Sequence, residues 1–185
     1  MFLAIAVVIF IAIHLTAALP NAKAALQNRL GPSYGPVFGI HSLLALALVV
    51  LAWMNRDFVP IYEPPTWGKH VTFSFVLLAF LCLGQWIFRG KLRQKLRFPF
   101  ALAAIFWGLG HLFVRGDAAS ITLFAGLATY GIAHYIIASL NGIRPSPEVR
   151  QGHDLLAILG GIALYAVMAQ LHGAIIGVPV ITLMR

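Results

Sequence analysis

The chain has 185 residues, 61% of them apolar and only 10% charged. Soluble globular domains lie near half apolar and about a quarter charged, so this composition excludes one, and a mean hydropathy of +0.90 agrees. A single cysteine, Cys82, rules out a disulfide framework or a thiolate metal cage. A net charge of +8 on so apolar a chain points to loop charges that orient a membrane protein, not to nucleic acid.

The apolar runs predict an all-α polytopic membrane protein: one domain, 1–185, built as a bundle of six transmembrane helices. The first span covers 2–19; it has no basic leader and reads as an uncleaved helix ending at Pro20-Asn21. The second, 35–53, opens after Gly31-Pro32-Ser33-Tyr34, and the third, 69–88, is entered through Glu63-Pro64-Pro65. The fourth, 98–114, is short. The fifth, 118–140, follows the turn Arg115-Gly116-Asp117, and the sixth covers 152–178. Lys23, Arg29, Arg89, Lys91, Arg93, Lys95, Arg97, Arg144 and Arg150 fall on one side. Arg56, Lys69, Arg115 and Arg185 fall on the other. The positive-inside rule then expects an inner (plasma) membrane protein with odd loops in the cytoplasm and both termini periplasmic. The stretch Lys91–Arg97 reads as the topology determinant ahead of an anionic-lipid or nucleic-acid site. Trp53, Trp67 and Trp86 stand at span ends, where interfacial aromatics belong.

All five acidic residues sit in loops or at helix ends, which excludes paired-carboxylate chemistry inside the membrane. No Ser-His-Asp order, glycine-rich phosphate loop or C-x-x-C is present. Seven histidines remain: His14, His41, His111, His134 and His172 within spans, His70 and His153 at helix starts. Ionisable groups in spans are costly and are functional candidates by default. Neutral imidazole is a common ligand of haem iron. At ~1.5 Å of rise per residue, His14, His41 and His134 form an inner layer, with His153 shallower. His70, His111 and His172 form an outer layer. Two ligands of one iron need different helices at similar depth, and each layer offers such a pair. The competing reading makes each histidine a hydrogen-bond donor between helices. Trp107 lies one turn before His111, with Gly108 and Gly110 between them. These small residues either admit a flat macrocycle or mark a close helix crossing. Both readings stay open.

The run Trp107-Gly108-Leu109-Gly110-His111-Leu112-Phe113-Val114-Arg115-Gly116-Asp117-Ala118-Ala119-Ser120, continuing to Gly126, resembles the WxxxHLxxxGDxASxxLFxG stretch of the NnrU family. Asp154-Leu155-Leu156-Ala157, Ala163-Leu164-Tyr165, the run Leu171–Pro179, His14 and Trp67-Gly68-Lys69-His70 resemble it too. The resemblance covers nearly the whole chain and departs at Arg97-Phe98-Pro99, where the family usually carries Arg-His-Pro. The same family contains the 15-cis-ζ-carotene isomerases, which bind haem b. The resemblance therefore implies haem b, with iron held by His14 and His111; no C-x-x-C-H exists for covalent attachment. Depth instead favours His70 or His172 as the partner of His111. Two functions follow from the resemblance, and whether the chain is an enzyme stays open between them. One is redox-linked cis–trans isomerisation of a lipophilic polyene such as a carotenoid, entering from the bilayer. The other is a non-catalytic haem protein supporting denitrification, by nitric oxide or nitrite response, electron transfer to a membrane redox partner, or reductase assembly. A homo-oligomer is compatible with either.

Overall fold

Prolines and glycines set the helix boundaries in the computed structural model, which describes residues 1–144 and 148–180. Arg185, counted above on the outer side, lies outside the described residues. Helix α1 is Phe2–Leu15, tightening into a 3-10 turn at Thr16–Ala18; α2, Pro20–Leu30, starts with proline at its first position. After a 3-10 turn at Gly31–Ser33 come α3, Tyr34–Met54, and α4, Gly68–Phe88. The short α5 is Lys91–Leu96, and α6, Pro99–Leu112, again starts on proline. Helices α7, Ala118–Leu140, and α8, His153–Ile176, complete the fold; α8 ends on the left-handed Gly177. No strand forms among the described residues.

Four helical stretches are long and apolar enough to cross a membrane: Pro20–Met54, Gly68–Phe88, Ala118–Leu140 and His153–Ile176. Phe2–Ala18 and Pro99–Leu112 are apolar but shorter. The expected fourth span, 98–114, loses its C-terminal end for a local reason. Phe113 N and Val114 N donate to Gly110 O and His111 O, tightening the last turn of α6. The Tyr62 hydroxyl then takes the freed Leu112 and Arg115 carbonyls. Helices α2 and α5 lie where the composition predicted only loops.

The long helices pack in one row, α3–α1–α7–α6–α4–α8. Glycines make the close crossings. A Cβ on Gly108 would strike the Phe124 carbonyl of α7, and one on Gly110 would lie 2.9 Å from Phe75 Cβ of α4. Gly84 meets the Ala157 carbonyl of α8, and Gly161 meets α4 at Phe80 and Leu81 in return. Without a hydrophobic drive between helices in lipid, such backbone approach and interhelical hydrogen bonds supply the adhesion. Thr72 Oγ1 donates across to Gly110 O at 2.8 Å, and His153 Nδ1 donates to Phe88 O at 3.0 Å. Leu3, Ala6 and Val7 of α1 pack with Val49 and Ala52 of α3 and Leu123 and Phe124 of α7. Large apolar side chains such as Leu43, Leu155, Leu159 and Val167 face outward. That distribution suits a protein surrounded by lipid.

The Gly116-Asp117-Ala118-Ala119-Ser120 part of the motif is a structural clasp. Ile61 N and Tyr62 N donate to Gly116 O at 2.8 and 3.1 Å, and Ala118 N donates to Val59 O at 2.8 Å. A side chain at Gly116 would strike the Tyr62 carbonyl. Asp117, 3% exposed, caps α7: it accepts from Ser120 N at 3.0 Å and Ser120 Oγ at 2.5 Å. Burial alone would raise the Asp117 carboxyl, but the Ser120 bonds and Arg115 outweigh it and hold the group below its ordinary value. A depressed carboxyl stabilises the fold above its unfolded pKa, and that contribution fades as pH falls through the folded value. Asp117→Ala is therefore expected to cost about 1 kcal/mol or more at neutral pH from the lost cap. The gap from wild type should narrow below about pH 4. Thermal unfolding in detergent across that range measures it; a gap constant with pH would contradict the ionised cap.

Candidate functional site

Three histidines within apolar helices share one local geometry. His14 Nδ1 lies 2.7 Å from Phe10 O, His41 Nδ1 2.7 Å from Val37 O, and His111 Nδ1 2.8 Å from Trp107 O. Each partner is the carbonyl one turn back, which only accepts, so Nδ1 carries the proton. The lone pair is then left on Nε2, the orientation and tautomer a metal-bound imidazole adopts. His172 reaches the same state by another route, its Nδ1 2.6 Å from Val178 O beyond the end of α8.

The rings are also held by aromatic neighbours. His14 stacks on Phe10 with centroids 4.0 Å apart and meets Tyr130 and Phe38 edge-on. His111 stacks on Phe124 at 4.5 Å and leans on Trp107 at 4.7 Å. Trp107, one turn before His111, thus packs against the imidazole itself. Phe10 and Phe124 were not singled out from the sequence. Phe10 was findable, since it stands one turn before His14 as Trp107 does before His111. Phe124 comes from a separate helix and carried no such signal.

The structure sorts the histidines by layer. His14 lies within electrostatic range of His134, whose Nδ1 is 3.5 Å from the Tyr130 hydroxyl. His111 lies within range of His172. No ring contact or electrostatic interaction joins His14 to His111; α7 packs between their helices. His41 is exposed on α3, and His70 is exposed at the start of α4. Gly108 and Gly110 do not open a cradle beside His111, because α7 and α4 occupy both faces. The helix-crossing reading of that pair is the one the packing fills. Among the described residues no group of three or more His, Cys, Asp or Glu side chains could hold a metal ion. A metal held by the described residues would therefore take at most two such ligands from the protein.

The helices and the intramembrane imidazoles define an all-α membrane protein. The family model described as NnrU protein matches residues 2–180, nearly the whole chain, and the chain belongs to the NnrU family. No curated protein and no solved structure matches it.

Proposed function

We propose that this protein is an integral membrane haem b protein that isomerises a lipophilic polyene such as a carotenoid, with His111 as one axial ligand. The observation that carries the haem reading is the His111 Nδ1 bond to Trp107 O, which leaves Nε2 free on a ring clamped by Phe124 and Trp107. Haem, if bound, would supply an iron centre that can exchange electrons and take up a new ligand once a protein ligand leaves. The chain's own residues do the rest. The carbonyls of Trp107 and Phe10 hold the His111 and His14 rings in the donor tautomer, and the packed helices keep water away. No carboxylate is on hand for proton transfer within a span, which suits a rearrangement that needs none. His14 is the second ligand by family resemblance, and His172 is an imidazole within electrostatic range of His111.

Purified protein supplemented with haem is expected to show a Soret band and, when oxidised, a low-spin spectrum. Absence of the band defeats the haem reading. A normal spectrum without conversion of cis polyene in reconstituted vesicles, under reducing conditions, would remove the isomerase reading and leave a non-catalytic haem protein.

The same proposal includes six crossings in an inner membrane with α5 on the cytoplasmic side, because the basic residues cluster there. Reporter fusions placed after Pro64 and after Gln94 should then report opposite compartments. The same compartment at both positions would defeat the arrangement.

A further inference from the structure

Helix α5 and the segment before α8 enclose an open cavity of about 540 Å³ lined by Lys91, Gln94, Lys95, Val149 and Gln151. Lys91 and Lys95 stand one turn apart and share a face of α5. No carboxylate lines the cavity, and the nearby acids are engaged elsewhere. Asp154 Oδ1 accepts from Leu92 N at 2.9 Å, and Glu148 pairs with Arg89 at 3.4 Å. On the same short helix, Arg93 has two buried guanidinium nitrogens, Nε and Nη1, with no hydrogen-bond partner. Burial first, and then Arg89, disfavour its charge. At the adjoining inner end of α4, Gln85 is 2% exposed with both amide atoms unpartnered. The cavity itself is lined by Lys91 and Lys95 with no carboxylate beside them, so its charge is net positive.

Its position selects the anion. Leu96 packs into the cluster of Ala79, Cys82 and Ala103, fixing α5 against the bundle. Trp86 and Ile87 at the inner end of α4, and Leu92 and Leu155 on the elements that Asp154 ties together, are exposed apolar side chains. A charged cavity bordered by exposed apolar residues matches a molecule with an anionic head and acyl tails. We infer that the Lys91–Lys95 cavity binds the phosphate of an anionic phospholipid, fastening α5 to the bilayer and to the start of α8. This inference does not depend on haem.

The test is thermal unfolding of the purified full chain in detergent, titrated separately with phosphatidylglycerol, phosphatidylcholine and inorganic phosphate. Phosphatidylglycerol is expected to raise the midpoint saturably, by roughly 5–11 °C near a hundredfold excess over Kd, and phosphatidylcholine far less. The Lys91→Gln/Lys95→Gln double variant should lose the shift, whereas Lys91→Arg/Lys95→Arg and the distant Lys23→Gln/Arg29→Gln variant should keep it. Equal shifts from both lipids, a full shift in the Lys91→Gln/Lys95→Gln protein, or the same shift from inorganic phosphate at equal concentration would each overturn the inference. The last would make it a free-phosphate site.

Discussion

His111→Ala is expected to lower the haem-to-protein ratio of the purified protein by more than about tenfold, because even changes behind a ligand cost 10–100-fold in metal affinity. Haem that remains should be high-spin. Truncation removes an imidazole clamped between Phe124 and Trp107 and leaves a cavity of its shape. Free imidazole added to the variant should therefore restore part of the low-spin spectrum, a rescue that a merely unfolded protein would not show. The second ligand is identified by the companion variants. If resemblance decides, His14→Ala reproduces the effect and His172→Ala does not; if proximity decides, the reverse holds. His153→Ala, which loses a bond to the Phe88 carbonyl, should leave the spectrum unchanged. An unaltered low-spin spectrum in His111→Ala would move the ligands to the inner layer of His14, His41 and His134.

The sequence made some of this legible and hid the rest for identifiable reasons. Helix α7 was readable to its ends, since Asp117 marks its cap and the apolar run stops at Asn141. The two histidine layers follow from counting rise along each span, and the pairs His14–His134 and His111–His172 keep to them. Helices α2 and α5 were missed because hydropathy locates what enters lipid, and neither buries a residue. The glycines beside His111 were ambiguous because a small residue leaves room without saying for what. Only the helix order, which puts α7 and α4 on either side of α6, shows that the room is taken. The Arg115-Gly116-Asp117 turn was legible as a turn, but not that Asp117 caps α7 through Ser120 or that the Gly116 carbonyl holds Ile61 and Tyr62.

Gly84→Val is expected to be the most damaging single change away from the histidines. Helix α8 closes one end of the row, with α4 as its main neighbour and a small contact with α5. Their crossing rests on Gly84 against the Ala157 carbonyl and Gly161 against Phe80 and Leu81. Those contacts are backbone, so no side-chain rotation relieves a new Cβ; the helices must move apart. In lipid nothing but packing and hydrogen bonding opposes that separation, and overpacking of this kind costs about 1–3 kcal/mol. The midpoint of thermal unfolding should fall by several degrees, roughly 2–4 °C for each kcal/mol in a chain of this size. Gly39→Val in α3, where nothing lies within 4 Å of the added atom, should be close to neutral. A Gly84→Val protein as stable as Gly39→Val would contradict the α4–α8 crossing. On the proposed haem reading, the same variant also tests which histidine is the second ligand. Shifting α8 carries His172 away from His111, so a change to high-spin in Gly84→Val would assign His172 as the second ligand. A preserved low-spin spectrum in the destabilised protein would leave that role with His14, whose helix packs on α3 and α7.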